Sequence, residues 1–251
     1  MTLLIKNEFK HLWQETKTYK LDSIMSNVDI LILCLGIFFG IAQNMFVGKD
    51  SGYVLIGMIL WWATITSIST ATEVVRKEVV VGTINQLIIS KYSLSKIILA
   101  RLVANICFES IQMLVVSLII AVVFKVNIPS DMNYLLLAMV IVLTMVGIVG
   151  IGFIFAGLTL VFKRTEAIAM ALNNYLLFFT GLVVPLSVLP SVFVISARIF
   201  PFYWGMEIIE HNVISLNLLA FLLCSALWCY FGNLIFKACF THLQTNGNTS
   251  Y

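Results

Sequence analysis

Few side chains of this sequence have the spacing that enzyme chemistry requires. A phosphate-binding loop reads G-x-x-x-x-G-K-[ST], but the pair Gly48-Lys49 is followed by an aspartate, so this motif for ATP hydrolysis is absent. The three histidines, His11, His211 and His242, lack the spacing of metal ligands or of a Ser-His-Asp triad. We therefore expect no catalytic residue, no metal site and no cofactor in this chain.

The remaining polar groups of interest lie within long apolar stretches. They are Asn105, Glu109 and Gln112, about one helical turn apart, and the pair Asn173 and Asn174. An ionisable group inside a bilayer is costly and is a candidate for function. Amides and carboxyls also hydrogen-bond between helices and hold a bundle together. Glu109 therefore has two open interpretations, as a structural residue or as part of a transport pathway.

The elements that must position these residues are membrane-spanning helices. Of the 251 residues, 61% are hydrophobic and 11% are charged, whereas a soluble domain normally carries about 25% charged residues. A bilayer core of ~30 Å requires roughly 20 apolar residues per helix, and continuous apolar runs are not the alternating pattern of a membrane barrel. The predicted fold is all-α and integral to the membrane. Its six spans are 28–47, 53–72, 102–124, 134–162, 167–189 and 212–236.

The distribution of lysine and arginine orients these spans. With the amino terminus inside, the inner segments hold twelve of the fifteen basic residues. These segments are 1–27, 73–101, 163–166 and 237–251. The outer segments hold Lys49, Lys125 and Arg198. Because basic residues concentrate on the cytoplasmic side, both termini are predicted to be cytoplasmic. The absence of a basic run interleaved with aromatic residues argues against a nucleic-acid partner.

The segments that flank the spans are predicted to lie outside the lipid core. Residues 1–27 are predicted to form an amphipathic helix in the inner interface, in contact with the lipid bilayer, since their apolar residues share one side. These residues are Leu3, Leu4, Phe9, Leu12 and Trp13. The polar tail 241–251 is predicted to be disordered, which leaves 28–240 as the transmembrane domain.

The longest polar stretch between predicted spans is 73–101, of which 73–96 is the cytoplasmic region of interest. Ile84, Leu87 and Ile88 recur at helical spacing and predict a short helix across the cytoplasmic face. Gly82 breaks the preceding segment, and Thr83 is predicted to cap the short helix. In a protein driven by a partner, force would enter at such a loop.

A proline-rich segment precedes the last span. Pro185, Pro190 and Pro201, three of the four prolines, fall within residues 181–211. Proline kinks or ends a helix, and exposed irregular backbone is not tolerated in lipid. The fifth span is therefore predicted to end near Pro185 or Pro190. A hairpin at 185–211 is predicted to dip into the outer leaflet before the last span.

Two motifs of this chain resemble those of ABC-2 type transporter permeases, and the likeness in layout covers nearly the whole chain. The first motif matches the family pattern at Glu78, Gly82, Thr83, Gln86 and Leu87. Ile84 and Asn85 replace the usual Leu-Glu there, which removes a charge. The second motif matches the family's outer hairpin at Gly181, Pro185, Pro190, Pro201 and Glu207. Each motif is moderately specific, and their order along the chain strengthens the resemblance.

The resemblance implies a mechanism and a set of partners. Permeases of this family work as dimers, here expected to be a homodimer, together with two copies of a cytoplasmic ATP-binding cassette ATPase. The ATPase subunits would bind ATP and Mg, so this chain would be a transport subunit and not an enzyme. Closure of the ATPase dimer would be transmitted by the coupling helix in 73–96 and by the interfacial helix. Frequent Ile, Lys and Asn are typical of a bacterium of low GC content, which suggests a bacterial cell membrane.

The cargo is less constrained than the mechanism. The family moves lipids, drugs, peptides and lipid-linked polysaccharides, and this chain is predicted to carry no globular domain that would select a polar cargo. We expect an amphipathic or hydrophobic cargo, such as an antimicrobial-type peptide, a lipid or a drug. The aromatic residues of the spans are consistent with this, although they are equally expected if they only face lipid. They are Phe38, Phe39, Trp61, Trp62, Phe178 and Phe179.

Three other interpretations remain open. One is export of a polysaccharide or a lipid-linked glycan by a member of the same family. Another is a secondary carrier driven by an ion gradient, in which Glu109 would dominate and no partner would be needed. Such carriers usually have more intramembrane ionisable groups and helices that are discontinuous at mid-membrane. The last is a membrane-embedded scaffold or enzyme, which would transport nothing.

Overall fold

The computed structural model describes residues 2–39, 51–123, 133–180, 189–211 and 216–246. All regular secondary structure in these ranges is helical. In chain order the helices are α1 (Thr2–Thr18), α2 (Lys20–Ile37), α3 (Ser51–Val81), α4 (Ile84–Ile88), α5 (Leu94–Val123), α6 (Tyr134–Phe162), α7 (Glu166–Phe179), α8 (Ser191–Ala197), α9 (Pro201–His211) and α10 (Leu216–Asn246). The all-α prediction is therefore confirmed for the described residues.

Helix α6 is the centre of the bundle, and it packs most extensively against α10 and α3. Glycine allows the close approach to α10. A Cβ atom added at Gly150 would lie 2.5 Å from the backbone of Trp228, and one added at Gly232 would overlap the carbonyl of Gly150. Small residues let two backbones approach in a membrane, where van der Waals packing drives helix association. Gly150 of α6 and Gly232 of α10 thus allow the two helix backbones to pack closely.

Buried apolar side chains form two clusters along the bundle. One includes Met58 of α3 and Phe221 of α10. The other includes Leu102 of α5 and Phe236 of α10, and it lies nearer the connection between α3 and α5. Both clusters join α3, α5, α6 and α10. The four long helices therefore form a continuous packed unit.

Four described helices are long and apolar enough to cross a membrane, namely Val54–Val81, Leu94–Val123, Tyr134–Phe162 and Asn217–Thr245. They correspond to the second, third, fourth and sixth predicted spans. A fifth candidate is the bent pair α8 and α9. In the first predicted span, 28–47, helix α2 ends at Ile37, and residues 40–50 lie outside the described residues. The number of six spans thus stays a prediction.

The fifth predicted span differs from the structure. Residues 167–189 were expected to form one helix, but α7 ends at Phe179 and has 14 residues. Roughly 20 apolar residues are needed to cross a bilayer core, so α7 by itself is too short. Helix α7 ends before Pro185 and Pro190, because Thr180 follows as its C-cap with non-helical dihedral angles; residues 181–188 lie outside the described residues.

Several other helix boundaries also differ from the predicted ones. Helix α3 continues nine residues beyond the predicted end at position 72, and α5 begins eight residues before 102. Polar residues can extend a helix beyond the lipid when they pair with each other, as Lys77 and Glu73 do at 2.7 Å. The connection between the two spans is therefore only residues 82–93.

The two terminal segments also divide differently from the prediction. The predicted segment 1–27 is divided between α1 and the first turns of α2. Helix α10 runs to Asn246, so the first six residues of 241–251 are helical and not disordered. Residues 247–251 lie outside the described residues.

Candidate functional site

The α3–α5 connection, residues 82–93, reverses the chain within a few residues. Gly82 follows α3 with a φ of +80°, a left-handed conformation that glycine adopts without steric cost. The carbonyl of Thr83 then accepts hydrogen bonds from the N–H groups of Gln86 at 2.9 Å and Leu87 at 3.3 Å, which begins α4. The predicted short helix is confirmed, and it is the five-residue α4.

A polar junction at this end of the bundle consists of Glu8, Glu78, Thr83 and Arg101. The Arg101 guanidinium donates from Nη1 to Glu78 Oε1 at 2.8 Å and from Nε to Glu8 Oε1 at 3.3 Å. The Thr83 hydroxyl donates to the other carboxylate oxygen of Glu78. One guanidinium therefore joins α1, α3 and α5, and Thr83 adds the connection to the same network.

The charged side chains of the polar junction are mostly shielded from solvent. Those of Glu8, Glu78 and Arg101 are only 18–26% exposed. Partly buried ion pairs are screened by salt much less than exposed ones. Removing one partner of such a pair leaves an uncompensated charge, which costs more than the pair itself contributes. The polar junction is thus expected to make these elements move together.

The role of Thr83 differs from the prediction. The hydroxyl was expected to cap α4, but it donates to the Glu78 carboxylate, and the Thr83 carbonyl accepts the first bonds of α4. The participation of Glu8 and Arg101 was not predicted. Arg101 stands at the end of the motif as its basic residue, whereas Glu8 is 93 positions away and has no local signal.

Helix α1 lies on the outside of the bundle along α5. None of its residues is buried, and Phe9 makes an edge contact with Phe108 of α5 at 5.6 Å between ring centroids. A polar groove of about 510 Å³ separates α1 from α3 and α5, a volume within the range of ligand sites. Its charged lining residues are Glu8, Glu15, Glu73, Lys77, Glu78 and Arg101.

An exposed apolar patch surrounds the α3–α5 connection and consists of Val80, Val81 and Ile89. Each of these side chains is more than 70% exposed, whereas Ile84 between them is buried. Gln86 is also exposed, and Leu87 packs partly against the adjoining core cluster. Exposed apolar side chains at this predicted cytoplasmic end of the bundle are candidates for contact with another molecule.

The polar residues predicted within the spans are not brought together into one site. On α5, the Asn105 amide donates to the Arg101 carbonyl at 2.9 Å. Glu109 is half-buried beside the indole of Trp62, and Gln112 is also half-buried. The two asparagines are on α7, and among the described residues α5 and α7 share no extensive contact.

The asparagine pair of α7 divides between two environments. Asn173 is buried, and its side-chain oxygen has no hydrogen-bond partner in the described part of the chain. Asn174 is exposed. The two side chains therefore do not form a joint polar site.

Within the predicted hairpin 185–211 the structure has the bent pair α8 and α9, whose axes differ by 99°; that this pair dips into the outer leaflet stays a prediction. Pro190 precedes α8 and accepts from the Phe193 N–H at 3.0 Å. Pro201 opens α9, where its missing N–H costs nothing. Glu207 is half-buried on α9. Gly181 and Pro185, the other two predicted hairpin residues, lie outside the described residues.

No cluster of metal ligands is present in the described ranges, since no three His, Cys, Asp or Glu side chains are placed to hold an ion. The arrangement instead combines a bundle of apolar helices with a polar junction at one end. The family model for the ABC-2 type transporter matches residues 1–214. No curated protein matches the chain.

Proposed function

This chain belongs to the ABC-2 type transporter family and is a membrane component of such a transporter, and from this premise we propose that it is the permease subunit of an ATP-driven exporter. The ATP and Mg would be bound by a separate ATP-binding cassette subunit. We expect two ATPase copies and two permease copies in the bacterial cell membrane. The cargo would be amphipathic or hydrophobic, such as a peptide, a lipid or a drug.

The polar junction is the observation that carries this proposal. Arg101 joins α1, α3 and α5 through Glu8 and Glu78, and Thr83 adds the α3–α5 connection. A push on the connection is therefore transmitted to two long helices and to the peripheral helix at once. ATP can shift an equilibrium only through contacts that differ between states. Because the polar junction holds α1, α3, α5 and the connection together, an ATPase that binds the connection can shift all of them.

The exposed apolar patch is the surface at which an ATPase would dock. Val80, Val81 and Ile89 flank the connection and are exposed in this chain. Docking would cover these side chains and would place the ATPase against the α3–α5 connection, which Thr83 links to the polar junction. The matched family motif, from Glu78 to Leu87, overlaps this surface.

The secondary-carrier alternative has weaker support. Glu109 is half-buried in α5, but the other predicted intramembrane polar groups of α7 are not placed beside it. A coupled carrier needs ion and substrate sites near each other. Export of a lipid-linked glycan by the same family remains a second candidate, because the fold does not restrict the cargo.

The test is a pull-down of the tagged chain from its native membrane in mild detergent, followed by an ATPase assay. We expect a separate ATPase to co-purify. Ile89→Asp should abolish this association because it places a charge within the apolar patch. Leu135→Asp is the control, since Leu135 is also an exposed apolar residue but lies at the start of α6, at the opposite end of the bundle. Transport by a chain that co-purifies with no ATPase would refute the proposal.

A further inference from the structure

The bend between α8 and α9 places a cation halfway along the bundle. Pro201 contacts α6 at Gly147, the fourteenth of its 29 residues. The Ile199 carbonyl accepts hydrogen bonds from α10, from the Trp228 indole at 2.7 Å and the Cys224 thiol at 3.1 Å. At 1.5 Å per residue, the bend is about 20 Å from either end of α6. Arg198, within the bend, is therefore about halfway along the bundle. The count of lysine and arginine per segment had assigned it to an outer segment.

An apolar groove of about 740 Å³ adjoins this bend, between α6, α7 and α10, a volume typical of ligand sites. Arg198 is the one charged residue among the described residues that line it. The indole nitrogens of Trp204 and Trp228 donate to the carbonyls of Arg198 and Ile199, each at 2.7 Å. Because these donors are already used, the groove offers a ligand hydrocarbon walls and a single guanidinium.

The charge of Arg198 is not neutralised by a carboxylate in the described part of the chain. The guanidinium lies 5.9 Å from the centre of the Tyr203 ring, and its side chain is exposed. An arginine near the middle of a bilayer is costly unless it pairs with an anion, and such residues are candidates for function. An anionic group that enters the groove would remove this cost.

We propose that the groove binds a phospholipid with a negatively charged head group, whose phosphate pairs with Arg198 and whose acyl chain lies along α10. The groove residues of α10 extend from Ala220 to Ile235, which spans about 22 Å at the helical rise. Leu223, Leu227 and Phe231 are exposed along it, so a chain can enter from the side. A lipid supplies both complementary parts, a hydrocarbon chain for the walls and an anion for the cation.

This binding goes beyond the proposed function because it needs neither ATP nor a partner. The test uses the full chain in detergent with Trp13, Trp61 and Trp62 replaced by phenylalanine, which leaves Trp204 and Trp228 in the groove. Phospholipids with brominated acyl chains quench a nearby indole. We expect brominated phosphatidylglycerol to quench at a lower mole fraction than brominated phosphatidylcholine. Native mass spectrometry of the wild-type chain should likewise retain phosphatidylglycerol preferentially.

Variants of Arg198 separate the charge from the groove. Arg198→Ala should weaken phosphatidylglycerol binding about tenfold, as expected for loss of one charge-assisted hydrogen bond. The affinities for phosphatidylglycerol and phosphatidylcholine should then be nearly equal. Arg198→Lys should retain most of the preference. The matched control is Arg76→Ala, which removes an arginine of α3 that is paired with Glu166 and does not line the groove. It should leave the preference unchanged.

A groove-filling variant keeps the proposal testable if Arg198→Ala fails to fold. Ala220→Phe adds a ring within the groove and should weaken the quenching by both lipids. Val115→Phe is its control, because Val115 is exposed on α5 outside the groove. Equal quenching by the two lipids in the parent protein, or equal behaviour of Ala220→Phe and Val115→Phe, would show ordinary lipid contact only and would overturn the proposal.

Discussion

Replacing Arg101 should remove the ion pairs that connect α1, α3 and α5. The Arg101–Glu78 pair has an N–O distance of 2.8 Å and the Arg101–Glu8 pair 3.3 Å. A hydrogen bond to a charged group contributes about 1.5–3 kcal/mol, and we take the lower half of this range because the side chains are partly exposed. A double-mutant cycle of Arg101→Ala with Glu78→Gln should therefore give a coupling energy of about 1.5–2 kcal/mol. The cycle with Glu8→Gln should give less, because its contact is longer.

The internal control is the Lys77–Glu73 pair on α3. Its atoms are equally close, at 2.7 Å, but both side chains are more than half exposed. Exposed helical pairs of this kind contribute about 0.3–0.5 kcal/mol. Arg101→Lys should recover only part of the stability, since an ammonium cannot reproduce the two-pronged geometry of a guanidinium.

The cycles are measured as free energies of unfolding of the purified permease in detergent, from tryptophan fluorescence during denaturant titration. ATPase stimulation in the assembled complex is the functional readout, and it should fall with Arg101→Ala more than with Lys77→Ala. The reasoning is refuted if the Arg101–Glu78 coupling is no larger than that of Lys77–Glu73. It is also refuted if Arg101→Ala leaves stimulation intact.

Further predictions concern backbone geometry and the carrier alternative. Gly150→Ala should destabilise the bundle by about 1–3 kcal/mol because the added Cβ would overlap the Trp228 backbone. The added Cβ of Gly36→Ala would meet no atom within 4 Å, so this variant should be neutral or stabilising. Thermal unfolding measures both effects. Gly82→Ala should cost about 1–2 kcal/mol through its φ of +80°, and Gly82→Asn should cost less. Glu109→Gln should retain most of the ATP-dependent transport in proteoliposomes, and its loss would favour the carrier alternative.

The sequence is informative about the class of fold and about local turns. Apolar composition indicates membrane helices, and Gly82 marks the position at which the backbone adopts its left-handed turn. These features depend on residues that are close together along the chain. The short helix α4 and the break before Pro201 were predictable for the same reason, since Ile84 and Pro201 begin helices whose signals are local.

Features that depend on distant residues were not predicted. Glu8 and Arg101 meet only because α1 packs along α5, and neither spacing nor periodicity encodes that contact. The end of α3 was placed too early because the prediction followed hydropathy, while Glu73 and Lys77 extend the helix by pairing. Counting basic residues assigned Arg198 to an outer segment, since such counting records position along the chain and not depth within the bundle.

The most direct test of the account is photo-crosslinking from the α3–α5 connection in native membranes. A photoreactive amino acid at position 89 should crosslink to a separate ATPase chain, and the yield should change when ATP is added. The same group at position 135, exposed at the start of α6 at the opposite end of the bundle, should give little such product. The account is contradicted if position 89 yields no ATPase crosslink while the membranes still carry out ATP-dependent transport through this chain.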